Sequence, residues 1–155
     1  MSQPRKKARH AIASYSNTSW AQPDALLGSA VRHLASMSPK FNWVGIYLLK
    51  GKVLELGPFI GAATDHKRIP VGRGICGKAV AENRDIINVP DVTKDSDYLA
   101  CSLETKSELV VLIRNADGKI LGQIDIDSHE AGAFESTDVE AVEKVAKELS
   151  SLWPE

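Results

Sequence analysis

The sequence predicts an α+β fold: a central antiparallel sheet of about six strands flanked by N- and C-terminal helices. Three observations carry this. Two hairpins stand mid-chain, one turning at Lys50-Gly51-Lys52 and one at Asp117-Gly118. Clear helical periodicity is confined to the two ends. The alternation of strand and long helix that a doubly wound parallel sheet requires does not occur.

Residues 1–20 read as an irregular polar N-terminal segment anchored by Trp20, and residues 21–155 as one domain. From Pro23-Asp24 onward, Leu26, Leu27, Ala30, Val31 and Leu34 recur at helical spacing, and Pro39 closes the pattern. Residues 41–49 are rich in aromatic and branched side chains and predict a strand, with 53–60 returning beside it. Residues 61–74 form a longer connection containing the short piece Arg68-Ile69-Pro70-Val71. A short helix is expected over 76–83, a brief strand over 85–89 and a loop over 90–101. Strands over 108–114 and 119–127 make the clearest hairpin. Thr137-Asp138-Val139-Glu140 has capping-box spacing and should open the last helix. In that helix Val139, Val142, Val145, Ala146, Leu149 and Leu152 share one face. The terminal helices should cover one face of the sheet, leaving the other for a pocket.

A chain of 155 residues can bury a core without disulfides or metals. With 43% hydrophobic and 25% charged residues, it has the composition of an ordinary soluble globular protein. A net charge of −1 gives no general pull toward nucleic acid or an anionic membrane. No apolar run approaches the length of a membrane span. Arg5, Lys6, Lys7 and Arg9 precede no long apolar stretch, so they read as a solvated start rather than a signal peptide. Two cysteines are too few for a secreted disulfide scaffold, which makes the cytoplasm the expected location.

Gly72-x-Gly74-x-x-Gly77 has the form of a dinucleotide fingerprint in the wrong setting. The preceding strand is short, the following helix breaks at Asn83, and Asp91 comes too soon. No nucleotide cofactor is expected. The glycines better suit a turn whose backbone amides line a pocket at a helix start. Cys76 and Cys101 lie 25 residues apart, with no Cys-x-x-Cys and no histidine at zinc spacing, so no metal site is expected. Of the four histidines only His66, before the glycine turn, could border a pocket.

Either cysteine could be an inert buried thiol. Against that, Cys101 lies in a polar loop, and Cys76 stands at a helix start that would lower its pKa. Asp125 and Asp127, two apart in a strand, share a face. On the solvent side they would be routine; buried together with Glu108, they could not all ionise, and one would keep a proton. Trp43 and Tyr47 also share a face, either as core or as an aromatic wall for a ligand. A thiol beside proton-bearing acids suits reductive attack on an oxidised small molecule.

Several segments taken together resemble a known family: residues 41–47, Leu56-Gly57-Pro58-Phe59, residues 68–77, Ala100-Cys101, Ser107-Glu108 and residues 122–128. In this order, over roughly 24–152, they are similar to the free methionine-(R)-sulfoxide reductases, which are single GAF domains. The resemblance implies a GAF-like fold and thiol-dependent reduction of free methionine sulfoxide without a cofactor. It implies Cys101 as the catalytic cysteine and Cys76 as a second redox cysteine that condenses with its sulfenic acid. Glu108, Asp125 and Asp127 become substrate-binding acids, one of which (Glu108 among them) donates the proton to the sulfoxide oxygen. Trp43 and Tyr47 become the aromatic wall. A thioredoxin-type reductant and a homodimer through the terminal helices are the implied partners.

The sequence departs from the family in two respects. Many members carry a third cysteine, often the resolving one, shortly before the Arg-Ile-Pro motif, where this chain reads Asp65-His66-Lys67. Resolution then falls to Cys76 or to an external thiol. Ser102-Leu103-Glu104 also differs from the commoner form. The alternative reading is a non-catalytic GAF module that binds a small ligand or senses oxidants through its cysteines.

Overall fold

The chain forms ten elements in a computed structural model that describes residues 23–96, 98 and 104–153. They are α1 (Pro23–Met37), β1 (Trp43–Lys50), β2 (Val53–Ile60), β3 (Arg68–Pro70), α2 (Gly74–Ala81), β4 (Ile86–Val89), a 3₁₀ turn (Val92–Lys94), β5 (Ser107–Arg114), β6 (Ile120–Ser128) and α3 (Ser136–Leu152). The six strands make one antiparallel sheet in the order β3-β2-β1-β6-β5-β4. The expected α+β organisation holds.

The sheet sits between two cores, and period-2 alternation decides which residue joins which. Val44, Ile46, Leu109, Val111, Ile113, Ile124 and Ile126 face α1 and α3. From α1 they meet Leu26, Leu27, Ala30, Val31 and Leu34, the residues of the helical stripe; α3 contributes Val142, Val145, Ala146 and Leu149. Each fully buried Leu or Val of this layer is worth about 1.5–3 kcal/mol over the exposed side chain. On the opposite face Trp43, Tyr47, Val110 and Leu112 meet Ile75, Cys76 and Ala79 of α2, together with Ile69, Ile87, Val89 and Val92.

Several strand ends differ by one residue from the sequence expectation, and three further differences have a local reason. The first strand begins at Trp43 because Phe41 N still donates to Ser38 O at 3.2 Å, closing the turn after α1. The short helix spans Gly74–Ala81, starting before Cys76 and ending before Asn83, which takes a left-handed conformation (φ 55°) that terminates it. The capping box of α3 lies not at Thr137 and Glu140 but at Glu135 and Asp138. Asp138 Oδ2 accepts from Glu135 N at 2.9 Å, and the Glu135 carboxylate accepts from the Asp138 backbone. A glutamate carboxylate does here what the Thr137 hydroxyl was expected to do, and Thr137 falls inside the first turn.

Candidate active site

The site is made where β1, β6 and β5 run side by side beneath α2. Because Ile124 and Ile126 of β6 point to the terminal helices, Gln123, Asp125 and Asp127 must point the other way. Register then assembles the cluster. Asp127 stands opposite Trp43 on one side and Glu108 on the other; Asp125 stands between Gly45 and Val110, and Gln123 between Tyr47 and Leu112. The three acids expected from sequence to act together are therefore brought together. Burial is nearly complete: Glu108 is 3% exposed, Asp125 0% and Asp127 1%.

Gly45 matters because it is opposite Asp125. A Cβ there would meet the Trp43 ring at 2.4 Å, so the indole lies across the place where a side chain would otherwise stand. The indole also stacks on Phe59, with centroids 5.6 Å apart, and donates from Nε1 to Ala62 O at 3.0 Å. Tyr47 is wholly buried and donates from its hydroxyl to His66 O at 2.8 Å. Both aromatic polar ends thus hold the 61–67 connection, and the two rings belong to the second core.

The short helix α2 brings Cys76 to the acids. Gly77 allows its close approach, since a Cβ there would lie 2.6 Å from Pro70 O. Within the glycine turn Gly72 N donates to Gly77 O, Arg73 N to Pro70 O and Gly77 N to Arg73 O. Those three amides are engaged, leaving Gly74, Ile75 and Cys76 as the first-turn amides that could face a ligand. The Cys76 thiol, 4% exposed, donates toward Glu108 Oε2 at 3.9 Å. Sequence reasoning missed Gln123, which is fully buried and donates from Nε2 to the Cys76 carbonyl at 3.0 Å, pinning the thiol's backbone. Alternation with Asp125 and Asp127 was the signal that could have found it.

One small cavity is lined by His66, Ile69, Gly74, Ile75, Cys76, Glu108 and Asp125. Among these described residues no lysine or arginine offsets the acids. Burial pushes the Asp125 carboxyl above its ordinary value. Its polar contacts with Glu108 and Cys76, and the nearby His66 charge, pull more weakly the other way. Neither Asp125 oxygen reaches a partner at regular hydrogen-bond geometry among the described residues. A buried carboxylate in that setting calls for a proton or an incoming cation. Asp127 stands beside the lining residue Glu108 in the register, but neither it nor Trp43 nor Tyr47 is among the lining residues, and Cys101 lies outside the described residues.

Comparison with known proteins bears on the family of the chain. The GAF domain family matches residues 22–152. The chain is 43% identical over 115 residues to free methionine-R-sulfoxide reductase of Saccharomyces cerevisiae, covering 72% of this chain and 63% of that protein. The type II free methionine-R-sulfoxide reductase of Thermoplasma acidophilum is 37% identical, with a TM-score of 0.81 over 86% of this chain and 94% of that one. The free methionine-R-sulfoxide reductase of Neisseria meningitidis, solved in complex with its substrate, is 31% identical, with a TM-score of 0.81 over 99% and 92%. No helix among the described residues is long and apolar enough to cross a membrane. The chain belongs to the GAF domain family, and its likeness within that family runs to the free methionine-R-sulfoxide reductases.

Proposed function

We propose that the protein reduces free methionine-(R)-sulfoxide to methionine. The observation that carries this reading is the closed set of Glu108, Asp125 and Asp127 beside a thiol, with no lysine or arginine in the described cavity lining. A free amino acid brings the missing cation as its ammonium, which pairs with acids of this set. Its S-methyl group rests against Trp43 and Tyr47, and first-turn amides of α2 hold its carboxylate.

A protonated acid of the set, Glu108 or Asp125, donates to the sulfoxide oxygen as the Cys101 thiolate attacks sulfur. The sulfur–oxygen bond of the substrate breaks, the substrate sulfur gains two electrons, and Cys101 is left as a sulfenic acid. Cys76 then attacks the Cys101 sulfur, releasing water and forming a disulfide. A thioredoxin-type dithiol in a reducing cytoplasm returns both cysteines to thiols. No cofactor takes part. Free space within the described lining is about 10 Å³, well below the several hundred Å³ of an ordinary ligand pocket. Admission of the substrate therefore includes a parting of that lining.

The test is methionine formation from free methionine-(R)-sulfoxide by the reduced chain with a dithiol as electron source. Turnover that disappears in Cys101→Ser is expected. A native, reduced chain that forms no methionine contradicts the proposal.

A further inference from the structure

We propose that Cys76, Glu108 and Asp125 also form a binding site for a borderline-soft divalent cation of the Zn²⁺ class. One ligand atom from each of these residues lies within 4.8 Å of the other two, and all three residues are buried. Cys76 Sγ lies 3.9 Å from Glu108 Oε2. A tetrahedral zinc bound at ~2.3 Å to sulfur and ~2.1 Å to oxygen sets those atoms ~3.6 Å apart. Shifts of well under 1 Å would bring this pair onto one ion.

A second observation points the same way. Asp125 is wholly buried and lines the cavity, and its polar side-chain contacts are with Glu108 and Cys76, the other two members of the cluster, neither at regular hydrogen-bond geometry. One of its oxygens lies within 4.8 Å of a ligand atom of each of the other two. A water can complete four-coordination. The space of about 10 Å³ admits one water-sized particle, which suits a dehydrated ion held by few ligands. Calcium, with six to eight oxygens, and magnesium, with its retained waters, do not suit a thiolate site of this size. The ligands come from α2, β5 and β6, which is why no linear spacing betrays them.

On binding, the thiol and any protonated carboxyl release their protons to solvent, and no electrons move. The bound ion holds Cys76 as a metal thiolate and keeps it out of disulfide chemistry. Binding rests on the cluster alone, independent of the sulfoxide reading; if that reading holds, the ion also inhibits turnover.

The experiment titrates the reduced full-length chain with Co²⁺ in the absence of any substrate, followed by Zn²⁺. Expected is saturation at one equivalent, with a thiolate-to-cobalt charge-transfer band that Zn²⁺ abolishes. The band should persist in Cys101→Ser, vanish in Cys76→Ser and require at least tenfold more Co²⁺ in Asp125→Asn. The native chain decides the case even where a variant does not fold. Absence of the thiolate band there overturns the proposal, as does a band that survives Cys76→Ser or is lost in Cys101→Ser.

Discussion

The two faces of the sheet are built from the same strands and do opposite work. Toward α1 and α3, strands β1, β5 and β6 present mainly apolar residues, among them Val44, Ile46, Leu109, Val111, Ile124 and Ile126, with the buried hydroxyls of Ser107 and Ser128 at one end. Toward α2 the same strands alternate to Trp43, Tyr47, Glu108, Gln123, Asp125 and Asp127. Both faces are buried. One gains stability from burial, whereas the other holds polar groups whose burial costs free energy unless something compensates them. A sheet covered on both sides can thus divide stability from chemistry residue by residue.

The largest effect expected on the chemical side comes from the sulfur. Cys101→Ser should lower sulfoxide turnover by three orders of magnitude or more while leaving the thermal unfolding midpoint in place. Measurable single-turnover methionine release by that variant would move the attacking role elsewhere. On the apolar face, Ile126→Ala should cost about 2–5 kcal/mol of stability in denaturant titration. Turnover per folded molecule should barely change. If Ile126→Ala instead abolished turnover in the folded fraction, the two faces would not be separable.

Asp125→Asn should give the reverse signature. Turnover should fall by about 2–4 kcal/mol of transition-state stabilisation with the fold intact. Its stability effect depends on pH. Burial raises the folded-state pKa of Asp125 above the ordinary 3.8. The stability this group contributes is therefore fully present below that ordinary value and lost as pH rises through the raised one. The stability of the native chain minus that of Asp125→Asn should fall with rising pH, at most about 1.4 kcal/mol per unit. Urea titrations at several pH values check this; a difference that grew with pH would mean the carboxylate is stabilised, not strained, by its site. The smallest effect belongs to the α3 cap: Glu135→Ala should cost about 1 kcal/mol and leave turnover untouched.

Much of the helix-covered face was legible in the sequence. The stripe from Leu26 to Leu34 and the Val142-Val145-Leu149 face have periods that only a helix satisfies, and the Lys50-Gly51-Lys52 and Asp117-Gly118 turns fix two strand pairs. The acidic face was legible only as residue types. Asp125-Ile126-Asp127 reads the same whether the aspartates meet water or a second core, because alternation names a face without saying what covers it. The cover comes from α2, whose eight residues carry too few turns for a strong periodic signal. The meeting of Cys76 with Glu108 joins positions 32 apart through register and helix placement, which no local pattern encodes. Gln123 was passed over because an amide between apolar neighbours carries no charge to draw attention.

The central claim is that the buried acids are arranged for the ammonium of a free amino acid. Comparing kcat/KM for free methionine-(R)-sulfoxide and its N-acetyl derivative on the native chain tests it most directly, because acetylation removes the cation and leaves the sulfoxide unchanged. The account predicts a loss of about 2–4 kcal/mol, roughly 30- to 1000-fold, for the acetylated compound. Equal rates for the two would contradict it.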